Sequence, residues 1–126
     1  MALLSPRLSA LLATLAALAL PAAAADPPPA VQAEIDFLLG AIDSSGCRFL
    51  RNGDWHTAHE AQKHLRDKYD ALVARGLVDT TEQFIDRAAT QSSFSGQFYM
   101  LSCDGGPTLS SRQWLREQLA RHRGNP

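Results

Sequence analysis

Apolar residues recur at helical spacing directly after a proline-rich segment at residues 26–30. They occupy positions i, i+4, i+7, i+8 and i+11, namely Val31, Ile35, Leu38, Leu39 and Ile42. A proline suits the first turn of a helix because the backbone nitrogen there needs no partner within the helix. Gly46 can adopt the left-handed backbone that ends a helix. The pattern predicts a first helix ending at Ser44-Ser45-Gly46.

Three further stretches combine an apolar face with a helix start signal. The start signals are Thr57 with Glu60, Asp79 with Glu82, and Ser110 or Ser111. The inward-facing residues are Ala58, Ala61, Leu65, Tyr69 and Leu72, then Phe84, Ile85, Ala88 and Ala89, and finally Trp114, Leu115 and Leu119. The sequence therefore predicts four helices, of which the second should end near Arg75-Gly76.

Two short apolar segments are bounded by turn signals and predict strands. Residues 47–51 precede the tight-turn dipeptide Asn52-Gly53, and residues 97–103 precede the breaker Asp104-Gly-Gly-Pro107. The expected fold is mostly α with a small β element, an α+β domain of about four helices and a two-stranded antiparallel pair. This single globular domain should cover residues 31–122, with a flexible tail at 123–126.

Residues 1–25 have the three-part pattern of a cleavable signal peptide. Arg7 supplies the positive charge, residues 8–20 carry no charge, and Ala23 and Ala25 are the small residues at the cleavage site. The apolar run is shorter than the roughly 20 residues that cross a bilayer. No cysteine stands directly after the cleavage site to carry a lipid, since the first cysteine is Cys47. We therefore expect export, cleavage after Ala25 and no stable membrane anchor.

The charge balance excludes one class of partner. Cleavage would leave 11 basic and 13 acidic side chains, a net charge of −2 with histidine neutral. Basic residues are scattered among acidic ones, so the sequence has no basic patch of the kind that binds a phosphate backbone. Nucleic acid is not an expected partner.

Cys47 and Cys103 are the two cysteines of the chain. Export would place them where thiols oxidise, so a disulfide is the simplest interpretation. Two free buried thiols or a metal-binding pair are the alternatives. Two cysteines alone do not complete a tetrahedral structural zinc site, and they form no Cys-x-x-Cys motif.

Polar side chains suited to binding are concentrated in two segments, 51–56 and 92–96. If the two strands pair antiparallel, the end of the first lies beside the start of the second, so these segments should meet. An arginine beside hydroxyls and loop amides suits an anionic group. The candidate polar binding surface consists of Arg51, Asn52, His56, Ser92, Ser93 and Ser95. Alternatively, Arg51 pairs with Asp54 or Glu60, and Trp55 covers the core.

Histidine spacing allows a metal-binding interpretation. His59-Glu60 followed by His64 lacks the His-Glu-x-x-His spacing of zinc proteases, because the second histidine comes five positions after the first. His56, Glu60 and His64 are spaced four and four, and a helix through all three would align them for a metal ion. If Glu60 instead caps a helix with Thr57, His56 lies outside that helix.

A small hydrolase or transferase is the enzymatic alternative, with His56 or His64 as base. The Gly-x-Ser-x-Gly elbow of serine hydrolases is absent. Four acidic residues could supply a glycosidase carboxylate pair, but no spacing pairs them; they are Asp43, Asp54, Glu60 and Asp104. We assign no catalytic residue and expect no cofactor.

An ordered set of residues resembles one family of small exported bacterial proteins, labelled domain of unknown function 5329. The set is Ser45-Gly46-Cys47-x-Phe49-x-Arg51-Asn52-Gly53, His56, Glu60-Ala61, His64-Leu65, Lys68-Tyr69, Glu82-x-Phe84-Ile85, Ala89-Thr90-x-Ser92-Ser93-x-Ser95-Gly96, Tyr99, Cys103 and Trp114-Leu115. The resemblance covers about residues 32–121. It implies a bacterial envelope protein of the periplasm and supports pairing of the two cysteines, but it carries no catalytic residue with it. We expect a non-catalytic periplasmic domain that binds another envelope component.

The export hypothesis predicts the mass of the mature protein. Expressed with residues 1–25 in a bacterium, the protein should appear in the periplasm beginning near Asp26, because the leader is removed during export. It should also contain no thiol that can be alkylated without reduction. Intact-mass measurement of the periplasmic fraction checks both points. Recovery of uncleaved chain from the cytosol would contradict the hypothesis.

Overall fold

The computed structural model describes residues 2–7, 9–19 and 25–125. The helices are α1 (Pro29–Asp43), α2 (Ala58–Ala74), α3 (Thr81–Ala88) and α4 (Ser111–His122), and the strands are β1 (Arg48–Arg51), β2 (Asp54–His56), β3 (Met100–Ser102) and β4 (Leu109–Ser110). The prediction of an α+β fold with four helices is therefore confirmed. Part of the predicted signal peptide, with most of its cleavage region, lies outside the described residues.

Helices α2, α3 and α4 begin at capping side chains, although one cap differs from the prediction. The Thr57 hydroxyl accepts a hydrogen bond from the Glu60 backbone N–H at 3.2 Å, so the predicted start of α2 is confirmed. For α3 the prediction was wrong: a capping box formed by Thr80 and Gln83 starts it, not Asp79 with Glu82. A Gln side chain can reach back to the cap as well as a Glu can.

The sheet contains four strands in the order β2-β1-β3-β4, with every neighbouring pair antiparallel. The expected pairing of the two longer apolar segments is present as β1 with β3. The sequence did not predict β2 and β4. They contain three and two residues, too few to show the alternation of apolar and polar positions that marks a strand.

The β1–β2 hairpin turns at Asn52-Gly53, as predicted. Asn52 has φ +49° and Gly53 has φ +83°, which is the pattern of a type I′ turn. Asparagine and glycine tolerate positive φ better than other residues, so this dipeptide sets the register in which Arg51 lies opposite Asp54.

Helices cover one face of the sheet and form the core with it. Phe49 and Leu101, directly opposite each other on β1 and β3, are buried on that face. The fully buried side chains around them come mainly from α1, α3 and α4. Because side chains alternate along a strand, Trp55, paired with Leu50, points away from the helices and is 43% exposed. The alternative in which Trp55 covers the core is therefore wrong.

A disulfide between Cys47 and Cys103 joins the residue before β1 to the residue after β3. The predicted bridge is thus present, and no cysteine is free. At the carboxyl end, Arg123 forms ion pairs with Glu34 of α1 and Glu82 of α3. The hydrogen bond from Arg123 lowers the pKa of Glu34 to about 2. The segment predicted as a flexible tail is therefore held to the domain at its first residue.

No helix in residues 2–7, 9–19 or 25–125 combines the length and the apolar composition that a membrane span requires.

The type I′ turn predicts the effect of a substitution at Gly53. Gly53→Val should lower the free energy of unfolding by about 1 kcal/mol or more, because a β-branched residue is strained at positive φ. Space is not the cause, since a Cβ at Gly53 meets nothing within 4 Å. Urea unfolding measures the change. Gly53→Asn is the matched control, and a Val variant as stable as wild type would contradict the turn assignment.

Candidate functional site

The two polar segments selected from the sequence are in direct contact. The Ser95 hydroxyl donates a hydrogen bond to Asn52 Oδ1 at 2.5 Å and accepts one from the Gln97 backbone N–H at 3.2 Å. Antiparallel pairing of β1 with β3 produces this contact, since it places the β1–β2 turn beside the chain that enters β3.

Ser92 organises the loop at residues 92–96. Its side chain is buried, and its hydroxyl accepts hydrogen bonds from the backbone N–H groups of Phe94 and Ser95, both at 3.2 Å. Its backbone N–H and carbonyl are bonded to Gln97 and Gly96. This turn leaves Ser93 and Phe94 on the surface, and Phe94 is 96% exposed.

Arg51 is the first of four linked side chains between β1 and α2. It lies two positions after Phe49 and therefore points to the same, helix-covered side of the sheet. Its Nη1 is 3.0 Å from His64 Nδ1, and His64 Nε2 is 3.2 Å from the Tyr99 hydroxyl. Lys68 Nζ lies 3.1 Å from the same hydroxyl. His64 and Lys68 are one turn apart on α2, so both reach Tyr99.

The protonation state of His64 sets the direction of these hydrogen bonds. Burial lowers the pKa of His64, and the positive charges of Arg51 and Lys68 lower it further, so the ring is neutral near pH 7. Arginine can only donate, so His64 Nδ1 accepts from Arg51 and Nε2–H donates to Tyr99. Because Lys68 also donates to Tyr99, the phenol O–H of Tyr99 is left to donate to another group.

These side chains line an open cleft of about 220 Å³. Its lining residues are Arg51, Asn52, His64, Lys68, Ser92, Ser93, Phe94 and Tyr99. None of them is acidic. Within the part of the chain that the structure describes, neither Arg51 nor Lys68 forms an ion pair, so the alternative pairing of Arg51 with Asp54 or Glu60 is absent. Burial first, and then Arg51, lower the pKa of Lys68. The cleft therefore holds two cations without a carboxylate.

The six residues selected from the sequence occupy three places. Arg51, Asn52, Ser92 and Ser93 line the cleft, and Ser95 supports it through Asn52. His56 does not line the cleft; it faces a neighbouring apolar space.

Sequence reasoning missed Lys68, Phe94 and Tyr99, and it left His64 outside the six residues of the candidate polar binding surface. The available signal was the i, i+4 spacing of His64 and Lys68 beside the helix stripe that contains Leu65 and Tyr69.

The metal-binding alternative is not supported. His56 Nδ1 lies 3.1 Å from Glu60 Oε2, but His64 contacts Arg51 and Tyr99 instead of joining them. No three His, Cys, Asp or Glu side chains among the described residues are grouped so as to hold a metal ion. The positive charges of Arg51 and Lys68 next to His64 would also repel a metal cation.

The positions of the hydroxyl and carboxylate groups give little support to a hydrolase. The Ser92 hydroxyl accepts from two backbone amides, and the contacts of His64 are with Arg51 and Tyr99 rather than a serine. Asp43 is paired with His59 at 3.1 Å.

The neighbours of His64 predict that its pKa is lowered. By NMR, its ring should titrate below the ordinary value of 6.5, and Arg51→Gln should raise its pKa by removing a neighbouring positive charge. The unfolded chain takes up this proton at a higher pH than the folded chain. The contribution of His64 to stability is therefore present above pH 6.5 and is lost as the pH falls below that value. A His64 pKa unchanged in Arg51→Gln would contradict the contact.

Comparison with known proteins places this fold in a family. The chain is similar to the uncharacterized protein YfeK of Salmonella typhimurium strain LT2, with 42% identity over 69 residues, which are 54% of this chain and 56% of that relative. It thus spans little more than half the length of the relative it matches. No solved structure matches it. The model of a family of unknown function, DUF5329, matches residues 29–123, a range that includes every helix and strand described above. The chain belongs to the DUF5329 family.

Proposed function

We propose that this protein is a non-catalytic binding domain of the periplasm that holds the anionic group of an envelope component in the cleft between α2 and the loop at residues 92–96. One observation carries the proposal: Arg51 and Lys68 face the same cleft, and no carboxylate neutralises either one in the part of the chain described here. Partly buried charges are normally paired, so an unpaired couple of cations favours an anionic ligand.

Hydrogen-bond donors in the cleft suit a phosphate or carboxylate. Arg51 donates to His64 through one nitrogen, and the rest of its planar fork is available for two parallel bonds to an anion. Lys68 uses two of its three N–H groups, on Gln91 and Tyr99, and keeps one. Tyr99 offers its O–H, since its oxygen already accepts from two neighbours. The cleft therefore presents several donors in a place partly shielded from water.

The periplasmic location rests on two supports of different kinds. The pattern of residues 1–25 is that of a cleavable leader. The bridge between Cys47 and Cys103 is of a type that persists in oxidising compartments. A domain with these properties would meet its ligand outside the cytoplasm.

Binding of inorganic phosphate tests the proposed function. We expect the purified protein to bind phosphate at low salt, with shifts of the backbone amide signals of residues 92–96 in NMR titrations. Arg51→Gln and Lys68→Gln should each weaken binding by about tenfold or more, the effect expected for a charge-assisted hydrogen bond.

The matched controls are Arg75→Gln and Lys63→Gln, because both residues are exposed, lie on or next to α2 and do not line the cleft. They should leave phosphate affinity unchanged, while urea unfolding verifies that all four variants are folded. If wild-type protein binds no phosphate, or if the control variants weaken binding as much as the cleft variants, the proposed function is wrong.

A further inference from the structure

A second, largely apolar space lies next to the cleft. We call it the slot; Phe49, Ala61 and Leu65 supply its apolar walls, and its volume is about 30 Å³. Arg51, His64 and Tyr99 line both the slot and the cleft. These three side chains therefore form the boundary between a cationic space and an apolar one.

Ser111 lines the slot, and its hydroxyl oxygen is almost inaccessible to a water-sized group in the observed conformation. The residue is 3% exposed, and its hydroxyl has no hydrogen-bond partner. A buried hydroxyl without a partner costs about 1–3 kcal/mol relative to a bonded one, so native proteins rarely retain one without a reason. At the first turn of α4, Ser111 is also not needed as the cap, because Ser110 accepts the bond from the Gln113 backbone N–H.

We propose that the ligand is an anion carrying a short neutral arm, with the anionic group in the cleft and the arm in the slot beyond Arg51. The Ser111 hydroxyl turns towards the slot by rotation of its side chain and pairs with a polar atom of the arm. This inference rests on the proposed function, because the anion in the cleft holds the arm at the mouth of the slot. It adds the chemical class of the ligand: a phosphate or carboxylate with an alkyl substituent that ends in a single hydroxyl or carbonyl.

The dimensions of the slot limit the arm to a few atoms. A cavity needs about 10–15 Å³ to hold one water-sized group. With about 30 Å³, the slot accepts two or three non-hydrogen atoms. A long acyl chain is too large for this space, whereas a propyl or hydroxypropyl group is of the right size.

The apolar walls of the slot and the opposite charges at its border favour a neutral arm. Its outer side is bordered by Glu60, whose carboxylate is paired with His56. The hydrogen bond from His56 lowers the pKa of Glu60, so this carboxylate is ionised near pH 7. Because Arg51 and Glu60 both border the slot, a charged arm of either sign would be attracted by one and repelled by the other, and it would lose its hydration against the apolar walls.

Three phosphates that differ only in the arm test the inference: inorganic phosphate, propyl phosphate and 3-hydroxypropyl phosphate, each titrated by calorimetry at pH 8. Burial of each CH2 group strengthens binding by about fourfold, so two buried carbons should make propyl phosphate bind roughly 15-fold more tightly than phosphate. 3-Hydroxypropyl phosphate should bind more tightly still to wild type, and Ser111→Ala should remove only that last gain.

Ala61→Leu is the variant that fills the slot, since Ala61 lines the slot but not the cleft. It should abolish the advantage of both alkyl phosphates while leaving the affinity for inorganic phosphate unchanged, which also shows that the cleft is intact. Ala74→Leu, at the exposed end of α2, is the matched control and should retain the advantage.

The outcomes separate the two proposals. If wild type binds phosphate but gains nothing from the propyl arm, the inference is overturned and the proposed function stands. A propyl advantage that persists in Ala61→Leu also overturns it, because the arm then lies elsewhere, for example against Phe94. If wild type binds none of the three phosphates, both proposals fail.

Discussion

Antiparallel pairing of β1 with β3 determines where the groups of the cleft lie. Phe49 and Leu101 are directly opposite each other in this pair and are buried beneath the helices, so the register is fixed by the core. A shift by one residue would turn Phe49 to the solvent side and Arg51 with it. In the observed register Arg51 points under α2, and the turn that follows it contacts the loop before β3. The disulfide holds the opposite end of the same strand pair.

Arg51 and Lys68 are two partly buried cations that line the same cleft and repel each other. The ring between them is neutral His64, and the direction of each hydrogen bond follows from that neutral state. Lys68 is additionally held over the Tyr99 ring, with Nζ 4.9 Å from its centroid, where the face of the ring partly offsets the charge. An anion in the cleft would remove the repulsion between Arg51 and Lys68. The attraction between the anion and each cation, and the loss of repulsion between Arg51 and Lys68, would therefore both favour binding.

The sequence predicted those parts of the fold that are marked by helical spacing of apolar residues or by a capping or turn residue. The four apolar stripes, the Thr57 and Ser110 caps, and the Asn52-Gly53 turn all act over a few residues, and they form as expected. The strands β2 and β4 were missed because each is fixed by its neighbours in the sheet rather than by its own composition. Contact between the Asn52 turn and the Ser95 loop followed from strand direction alone. Lys68 and Tyr99 could not be placed beforehand, because only tertiary packing brings a helix lysine, a β1 arginine and a tyrosine near β3 to one point.

Apolar surface next to the cations bears on the ligand that we propose for the cleft. Phe94 lines the cleft and is almost fully exposed, on a loop kept in place by Ser92, and it does not belong to the hydrophobic core that the described residues form. The apolar slot lies beyond Arg51, on the other side of the boundary. A bare inorganic ion would use neither feature, since its affinity comes from charge and hydrogen bonds. A ligand whose anionic group is attached to carbon would contact both, because hydrocarbon gains by leaving water wherever an apolar wall is available. If the proposed function holds, the arrangement therefore favours an organic phosphate or carboxylate over a free ion.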